Sequence, residues 1–342
     1  EMTSSLVGSE MCIRDRFNTE WQIANSTCYC TCSMGVAKFP KLDDTVNTVL
    51  KRIDLAISYA KKQGKNCTIN YNETIGRILS RQIELERLMH KDITNGFAHF
   101  TAYYQPIFSS SEKKLVGCEA LMRWNPPEFG QVSPAEFIPM AERLGYINLL
   151  GENIIMIAGR QCKKWADAGL DLRMNINLSV GQIIEPDFLD KIDTLFDETG
   201  APPEKICFEV TESLAIHDME KMKELLKHIT DKGVKIALDD FGTGYSSLNC
   251  IKEMPLNTIK IDKSFIDDIA KNSDTAVFVK MIVNLSHDLH IAVCAEGVEE
   301  QVQFDILRDL ETDVIQGYYF GRPMPSDKFE EKFLSEKLQS VK

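Results

Sequence analysis

From residue 99 onward, short apolar runs alternate with stretches of helical periodicity, and that rhythm leaves few folds open to the chain. The strand candidates are 101–108, 115–123, 172–178, 205–211, 234–239, 257–261, 291–296 and 313–319. Between them, 134–144, 150–168, 186–198, 217–232, 273–289 and 299–309 repeat apolar residues at helical spacing. Eight strands with helices between them over about 240 residues predict an α/β fold, a (β/α)8 TIM-type barrel. An open doubly wound sheet is the alternative. It calls for a glycine-rich phosphate turn after its first strand, and none is present.

The strand ends carry the chemistry. One strand runs Cys118-Glu119-Ala120-Leu121-Met122-Arg123-Trp124, the next Met174-Asn175-Ile176-Asn177-Leu178-Ser179, and a third Phe208-Glu209-Val210-Thr211-Glu212-Ser213. Then come Asp239-Asp240, Lys260-Ile261-Asp262, Ala295-Glu296-Gly297-Val298-Glu299 and Gln316-Gly317. In a barrel these ends converge on one mouth, where barrel enzymes place their sites. Singly, each group has an ordinary structural use. Lys260 could lie along the surface with its ammonium in water, Asn177 could cap a helix, Glu296 could be a loop residue, and Gln316 could satisfy a buried backbone group. Seven consecutive strand ends of this kind call for a shared cause.

Asp239 and Asp240 are the sharpest case. Val234, Ile236 and Leu238 form a buried-strand run that leads into two adjacent carboxylates and a Gly242-Thr243-Gly244 loop. Charge at the end of a buried strand is costly unless paired or bound to a metal. One aspartate reads as a turn or cap residue; two before a glycine loop point to a metal or catalytic site. Oxygen ligands, with none of the six His at a strand end, favour Mg²⁺ or Mn²⁺ over zinc. Adjacent aspartates let one bridge two ions, an arrangement suited to phosphoester hydrolysis.

Composition narrows the partners. Net charge is −12 over 342 residues, which argues against a nucleic-acid polymer bound on a basic face. It leaves room for a small phosphorylated ligand whose charge metal ions offset. No apolar run approaches the ~20 residues of a membrane span. Of ten Cys, Cys118, Cys207 and Cys294 sit in apolar runs as small buried residues, the usage of a reducing compartment. Cys28, Cys30 and Cys32 alternate without zinc spacing; they are expected to pack, with a surface redox role as the alternative.

The N-terminal part is separate. Residues 1–20 lack periodicity and are left out of the fold. Strand readings at 33–37 and 67–71 flank a helical pattern from Asp44 to Lys62, a β-α-β piece too small for a core of its own. A second helical pattern runs from Ile75 to Ile93.

Residues 76–342 resemble the EAL domain of cyclic-di-GMP phosphodiesterases. The resemblance rests on Tyr104-Gln105-Pro106-Ile107, Glu119-Ala120-Leu121, Asn177-Leu178-Ser179, Glu209-Val210-Thr211-Glu212-Ser213, Asp239-Asp240-Phe241-Gly242-Thr243-Gly244-Tyr245-Ser246-Ser247, Lys260-Ile261-Asp262, Ala295-Glu296-Gly297-Val298-Glu299 and Gln316-Gly317-Tyr318, in order. It implies a barrel with an irregular first strand and a two-metal site, with Mg²⁺ or Mn²⁺ as the ions. By that resemblance Glu119, Asn177, Glu209 and Asp239 hold one ion, and Asp239 and Asp240 the other. Lys260 meets the nucleophilic water, either orienting it or helping remove its proton, while Glu296 and Gln316 complete the water and metal network. Arg123 meets a substrate phosphate, with Gln105 and Glu299 near the substrate. Glu212 anchors the Gly242–Ser247 loop, which couples dimerisation to metal binding.

The implied activity is hydrolysis of cyclic di-GMP to linear pGpG by a cytoplasmic homodimer, whose longer parent could be membrane-tethered. A cyclic-di-GMP receptor is the alternative, and another phosphohydrolase on the same barrel a third reading. Degenerate family members usually lack a metal ligand or the loop; this sequence keeps both. It departs at Asn249-Cys250, where an apolar or aromatic pair is common, and at 125–129. Residues 21–75 resemble the C-terminal end of a GGDEF domain through Ser33-Met34-Gly35, Pro40, Arg52, Asp54, Ala56, Tyr59-Ala60-Lys61 and Gly64-Lys65-Asn66. The GGDEF signature loop is missing, so no cyclase activity is expected.

Overall fold

The computed structural model describes residues 13–24, 26–40, 44–211, 219–242 and 248–335. The chain forms two compact units, Glu1–Gly96 and Phe97–Lys342.

In the first unit, strands β1 (Glu20–Ile23) and β2 (Ser26–Tyr29) make an antiparallel hairpin. Strand β3 (Met34–Val36) leads through helix α1 (Val46–Lys62) to β4 (Thr68–Asn70), which pairs parallel to β3. Helix α1 starts on a capping box in which the Thr45 side chain accepts from Thr48 N. Gly35 lets β3 lie directly on this helix: a Cβ there would stand 2.6 Å from Ile53 O and Ile57 N. Helix α2 (Glu73–Thr94) begins where Asn72 Oδ1 accepts from Ile75 N at 2.9 Å. Cys28 and Cys30 are exposed and Cys32 is half-buried. Among the described residues nothing covers Cys28 or Cys30, so packing does not explain the alternation.

The second unit is a closed barrel of β5 (Phe100–Ser109), β6 (Leu115–Trp124), β7 (Arg173–Leu178), β8 (Ile206–Thr211), β9 (Lys235–Phe241), β10 (Thr258–Ile261), β11 (Ala292–Ala295) and β12 (Val314–Gln316). Helices α3 (Pro134–Leu144), α4 (Ile147–Asp167), α5 (Val180–Ile183), α6 (Phe188–Thr199), α7 (Met219–Asp231), α8 (Leu248–Glu253), α9 (Lys263–Asp268), α10 (Ser273–Asp288), α11 (Gln301–Asp309) and α12 (Ser326–Phe329) follow in order. The six longer helical segments read from periodicity are all present.

The strands from β6 to β12 pair parallel, whereas β5 runs antiparallel to both β6 and β12. The cause is connection length. Only the turn 110–114 joins β5 to β6, and a parallel crossover needs a dozen residues or more. Ile176, Phe208, Ile236, Ile259, Val293 and Ile315 lie on the barrel strands and are fully buried. Cys118, Cys207 and Cys294 are buried as their apolar surroundings predict. Among the described residues, no helix is long and apolar enough to cross a membrane.

Candidate active site

The strand-end residues do converge. A cavity of about 280 Å³ is lined by Gln105, Glu119, Asp239, Lys260, Glu296 and Gln316, with Lys263, Gly297, Glu299, Gly317 and Tyr318 at its edge. Barrel closure brings together residues far apart in sequence. Gln316 Nε2 on β12 donates to Glu119 Oε2 on β6 at 2.6 Å and to Gln105 Oε1 on β5 at 3.2 Å. Asn177 Nδ2 on β7 donates to Glu119 Oε1 at 2.7 Å.

Lys260 is the hub. Its side chain is 1% exposed, which excludes the surface reading. Nζ stands 2.5 Å from Glu296 Oε1, 2.8 Å from Glu209 Oε1, 3.2 Å from Asp239 Oδ1 and 3.9 Å from Glu119 Oε2. Burial alone would lower its pKa, but the surrounding carboxylates hold it well above the ordinary lysine value. The carboxylates respond differently. Burial works to raise Glu119, yet Lys260 and the amides of Gln316 and Asn177 bring it below the ordinary value. Burial and the charge of Glu119 push Glu209 well up against the pull of Lys260. Burial takes Glu296 to about 8, Lys260 opposing and Asp239 and Glu119 assisting. Asp240 is raised by burial and by Asp239.

The adjacent aspartates occupy a bulge. On β9 and β10, Leu238 pairs with Ile259 and Phe241 with Ile261, so Asp239 and Asp240 share the interval opposite Lys260. Asp240 has φ 54, the left-handed region that aspartate tolerates better than most residues. The bulge keeps both carboxylates on one side, where adjacent residues of a regular strand would point apart. Oxygens of Asp239, Asp240 and Glu296 lie within 4.8 Å of one another.

The donor set fits a hard divalent cation. Glu209 Oε2, Asp239 Oδ1 and Gln316 Oε1 are buried without a hydrogen-bond partner, a cost that folded proteins seldom leave uncompensated. Asp239 Oδ1 lies near the ammonium without a hydrogen bond to it. All three are oxygens, the ligand type of Mg²⁺ and Mn²⁺.

Arg123 and Glu299 make contacts of their own away from the Lys260 hub. Arg123 is half-buried, donating from Nη1 to Met122 O at 2.8 Å, with its guanidinium carbon 5.5 Å from the Tyr103 ring centre. Glu299 pairs with Lys263 at 2.5 Å rather than with another predicted site residue. Glu212 and residues 243–247 lie outside the described residues. Two contributors escaped the sequence reading. Lys263 lines the mouth and neutralises Glu299. Asn175 donates from Nδ2 to Glu209 Oε1 at 2.8 Å. Its signal was parity: two residues before Asn177, it faces the same side of the strand. Gly317 is required by close approach, since a Cβ would fall 2.0 Å from Val298 O.

Comparison with known proteins agrees with this geometry. Residues 87–323 match the family model described as EAL domain. The signaling protein YkoW of Bacillus subtilis is 34% identical over 327 residues, covering 96% of this chain and 41% of YkoW. The bifunctional diguanylate cyclase/cyclic di-GMP phosphodiesterase MucR of Pseudomonas aeruginosa is 32% identical over 314 residues, covering 92% of this chain and 46% of MucR. The chain thus spans less than half the length of these relatives. Among solved structures, the PaMucR phosphodiesterase in complex with c-di-GMP aligns with a TM-score of 0.68 and 35% identity, covering 71% of this chain and 99% of that one. The cAMP-bound EAL enzyme Bd1971 aligns at 0.69 with 31% identity, covering 79% and 73%. The match spans the barrel and the strand ends that meet at its mouth, and the chain belongs to the EAL domain family.

Proposed function

We propose that this domain hydrolyses one phosphodiester bond of cyclic di-GMP, giving linear pGpG, with two divalent cations, Mg²⁺ or Mn²⁺. The observation that carries the reading is the trio of buried oxygens on Glu209, Asp239 and Gln316 that accept no hydrogen bond, the Asp239 oxygen having only its ion contact with Lys260. In this proposal Glu119, Asn177, Glu209 and Asp239 hold one cation, and Asp239 and Asp240 the other. Bound cations would acidify a water and offset charge on the phosphoryl oxygens.

The protein's own groups then divide the work. Lys260, held protonated by its carboxylate neighbours, orients the attacking water as a donor rather than accepting its proton. Glu296, 2.5 Å from Lys260 Nζ, receives that proton once bound cations have displaced its own. Gln316 fixes the Glu119 carboxylate. Arg123 faces a substrate phosphate, while Gln105 and Glu299 contact the substrate near the mouth. The neighbours support the substrate choice, since PaMucR is described as a phosphodiesterase in complex with c-di-GMP.

The same proposal includes a homodimer formed through this domain and coupled to the site by Glu212, and a cytoplasmic location. It also reads residues 21–75 as what is present here of a GGDEF domain. The YkoW and MucR alignments cover more of the chain than residues 87–323, which supports that reading. The test is incubation with cyclic di-GMP in Mg²⁺, in Mn²⁺ and in chelator, followed by separation of products. Metal-dependent pGpG is expected from the wild type and is lost in Asp239→Asn. Tight binding without product would establish the receptor reading instead.

A further inference from the structure

Strand β7 serves the carboxylates on both of its neighbours. From one face it sends Asn177 Nδ2 to Glu119 Oε1 on β6 and Asn175 Nδ2 to Glu209 Oε1 on β8, at 2.7 and 2.8 Å. Asn175 is 7% exposed and Glu209 1% exposed, so water does not take over the contact. Glu209 Oε1 also faces Lys260 Nζ at 2.8 Å. Both donors therefore converge on one oxygen, and Oε2 is left buried without a partner. Rotating the carboxylate out of this plane would carry its oxygen away from both donors, whereas a half-turn only exchanges two equivalent oxygens.

We propose that Asn175 is a positioning residue of the metal centre: its amide fixes the plane of the Glu209 carboxylate, so that the oxygen neither donor holds is directed to a divalent cation. The inference rests on the metal-dependent reading of this site. Lys260 alone is a poor substitute. Its single Nζ is shared among several carboxylates, so it holds the charge of Glu209 but does not define the plane of the group. The planar amide on a rigid strand supplies that orientation. Partners that orient metal-binding carboxylates typically govern affinity by about 10–100-fold.

The experiment is Mn²⁺ titration of the whole chain, without nucleotide, followed by electron paramagnetic resonance. It compares the wild type with Asn175→Leu, Asn175→Ser and Thr258→Val, with melting temperature in chelator as the folding control. Thr258 is buried two residues before Lys260, so its substitution changes buried polarity while leaving the Asn175–Glu209 hydrogen bond in place. Asn175→Leu is expected to weaken Mn²⁺ binding by about 10–100-fold, and Asn175→Ser, too short to reach Glu209, to weaken it as well. Thr258→Val should bind as the wild type does. If Asn175→Leu fails to fold, Asn175→Ser carries the comparison. Wild-type affinity in both Asn175 variants, equal weakening in Thr258→Val, or no Mn²⁺ binding by the wild type would overturn the proposal. Hydrolysis of cyclic di-GMP by the wild type is read separately. Its absence with Mn²⁺ binding intact sinks the enzymatic reading and leaves the role of Asn175 to be decided by the affinities.

Discussion

Lys260 Nζ and Glu209 Oε1 lie 2.8 Å apart with side chains 1% and 0% exposed, the most deeply buried ion pair among the described residues. Burial pushes Glu209 toward its neutral form, so the charge that Lys260 compensates rests chiefly on Glu119, and removing one partner of a buried ion pair costs about 3–5 kcal/mol. Lys260→Met should therefore lower stability by that order in chelator. Mn²⁺ should restore more stability to the variant than to the wild type, because the cation would take over neutralisation. Urea unfolding of both proteins, with and without Mn²⁺, reads this directly. Equal stability in chelator would mean that the carboxylates are protonated and that Lys260 is not their counter-charge.

Glu296 yields a pH prediction. Its folded pKa of about 8 lies above the ordinary 4.5, so without metal it keeps its proton across the neutral range. A raised carboxyl contributes stability below the ordinary value, and that contribution is lost as pH rises through about 8. A cation must displace the proton, so binding should release protons and affinity should climb toward pH 8. Calorimetric titration with Mn²⁺ in two buffers of different ionisation enthalpy measures the release. Glu296→Gln should reduce it. Affinity that stays flat between about pH 6 and about pH 9 would refute the link.

The barrel was legible because a buried strand and an amphipathic helix leave different periodicities, and the chain alternates them cleanly. The site was legible for a different reason: carboxylates at the ends of buried strands oppose burial, so Glu209 and Asp239 stood out against their neighbours. What periodicity does not carry is pairing. Nothing in the apolar pattern of β5 gives its direction; the short turn after it does. The bulge at Asp239-Asp240 depends on register against β10, a tertiary property. Asn175 was hidden because an amide inside a strand resembles any other polar interruption until its partner on the neighbouring strand is known. The exposed Cys28 and Cys30 failed because nothing among the described residues covers them, and alternation alone predicts a face and not a cover.

Asp240 tests whether the bulge is part of the chemistry. Its φ of 54 suits asparagine as well as aspartate, so Asp240→Asn keeps the backbone and removes the charge. Stability in chelator should hold or rise, because a carboxylate beside Asp239 is gone. If Asp240 binds the second cation, kcat should fall by about a hundredfold or more, several kcal/mol of transition-state stabilisation. Asp240→Ala should lose the same activity and about 1–2 kcal/mol of stability, since alanine is strained at this φ. Full activity in Asp240→Asn would remove Asp240 from the metal site.

Away from the mouth, Glu330 ties the C-terminal segment to α4. Its Oε1 accepts from Lys164 Nζ at 2.7 Å, Trp165 Nε1 at 2.9 Å and Gln161 Nε2 at 3.1 Å. The Trp165 ring, 2% exposed, stacks on Phe329 with centres 5.3 Å apart, so the indole N–H has this carboxylate as its partner in a mostly dry contact. Burial works to raise the pKa of Glu330, but donation from Lys164 and Trp165 outweighs it and brings the group below its ordinary 4.5. A lowered carboxyl stabilises above the ordinary value, and the effect is lost as pH falls through the folded one. Glu330→Gln should thus cost about 1.5–3 kcal/mol near neutral pH, the range for hydrogen bonds to a charged group. The gap from the wild type should close as the pH is taken well below 4.5. Urea denaturation at a series of pH values measures it, and a gap independent of pH would assign the loss to packing rather than to the charge. Hydrolysis by the folded variant should match the wild type, because Glu330 touches none of the strand-end groups.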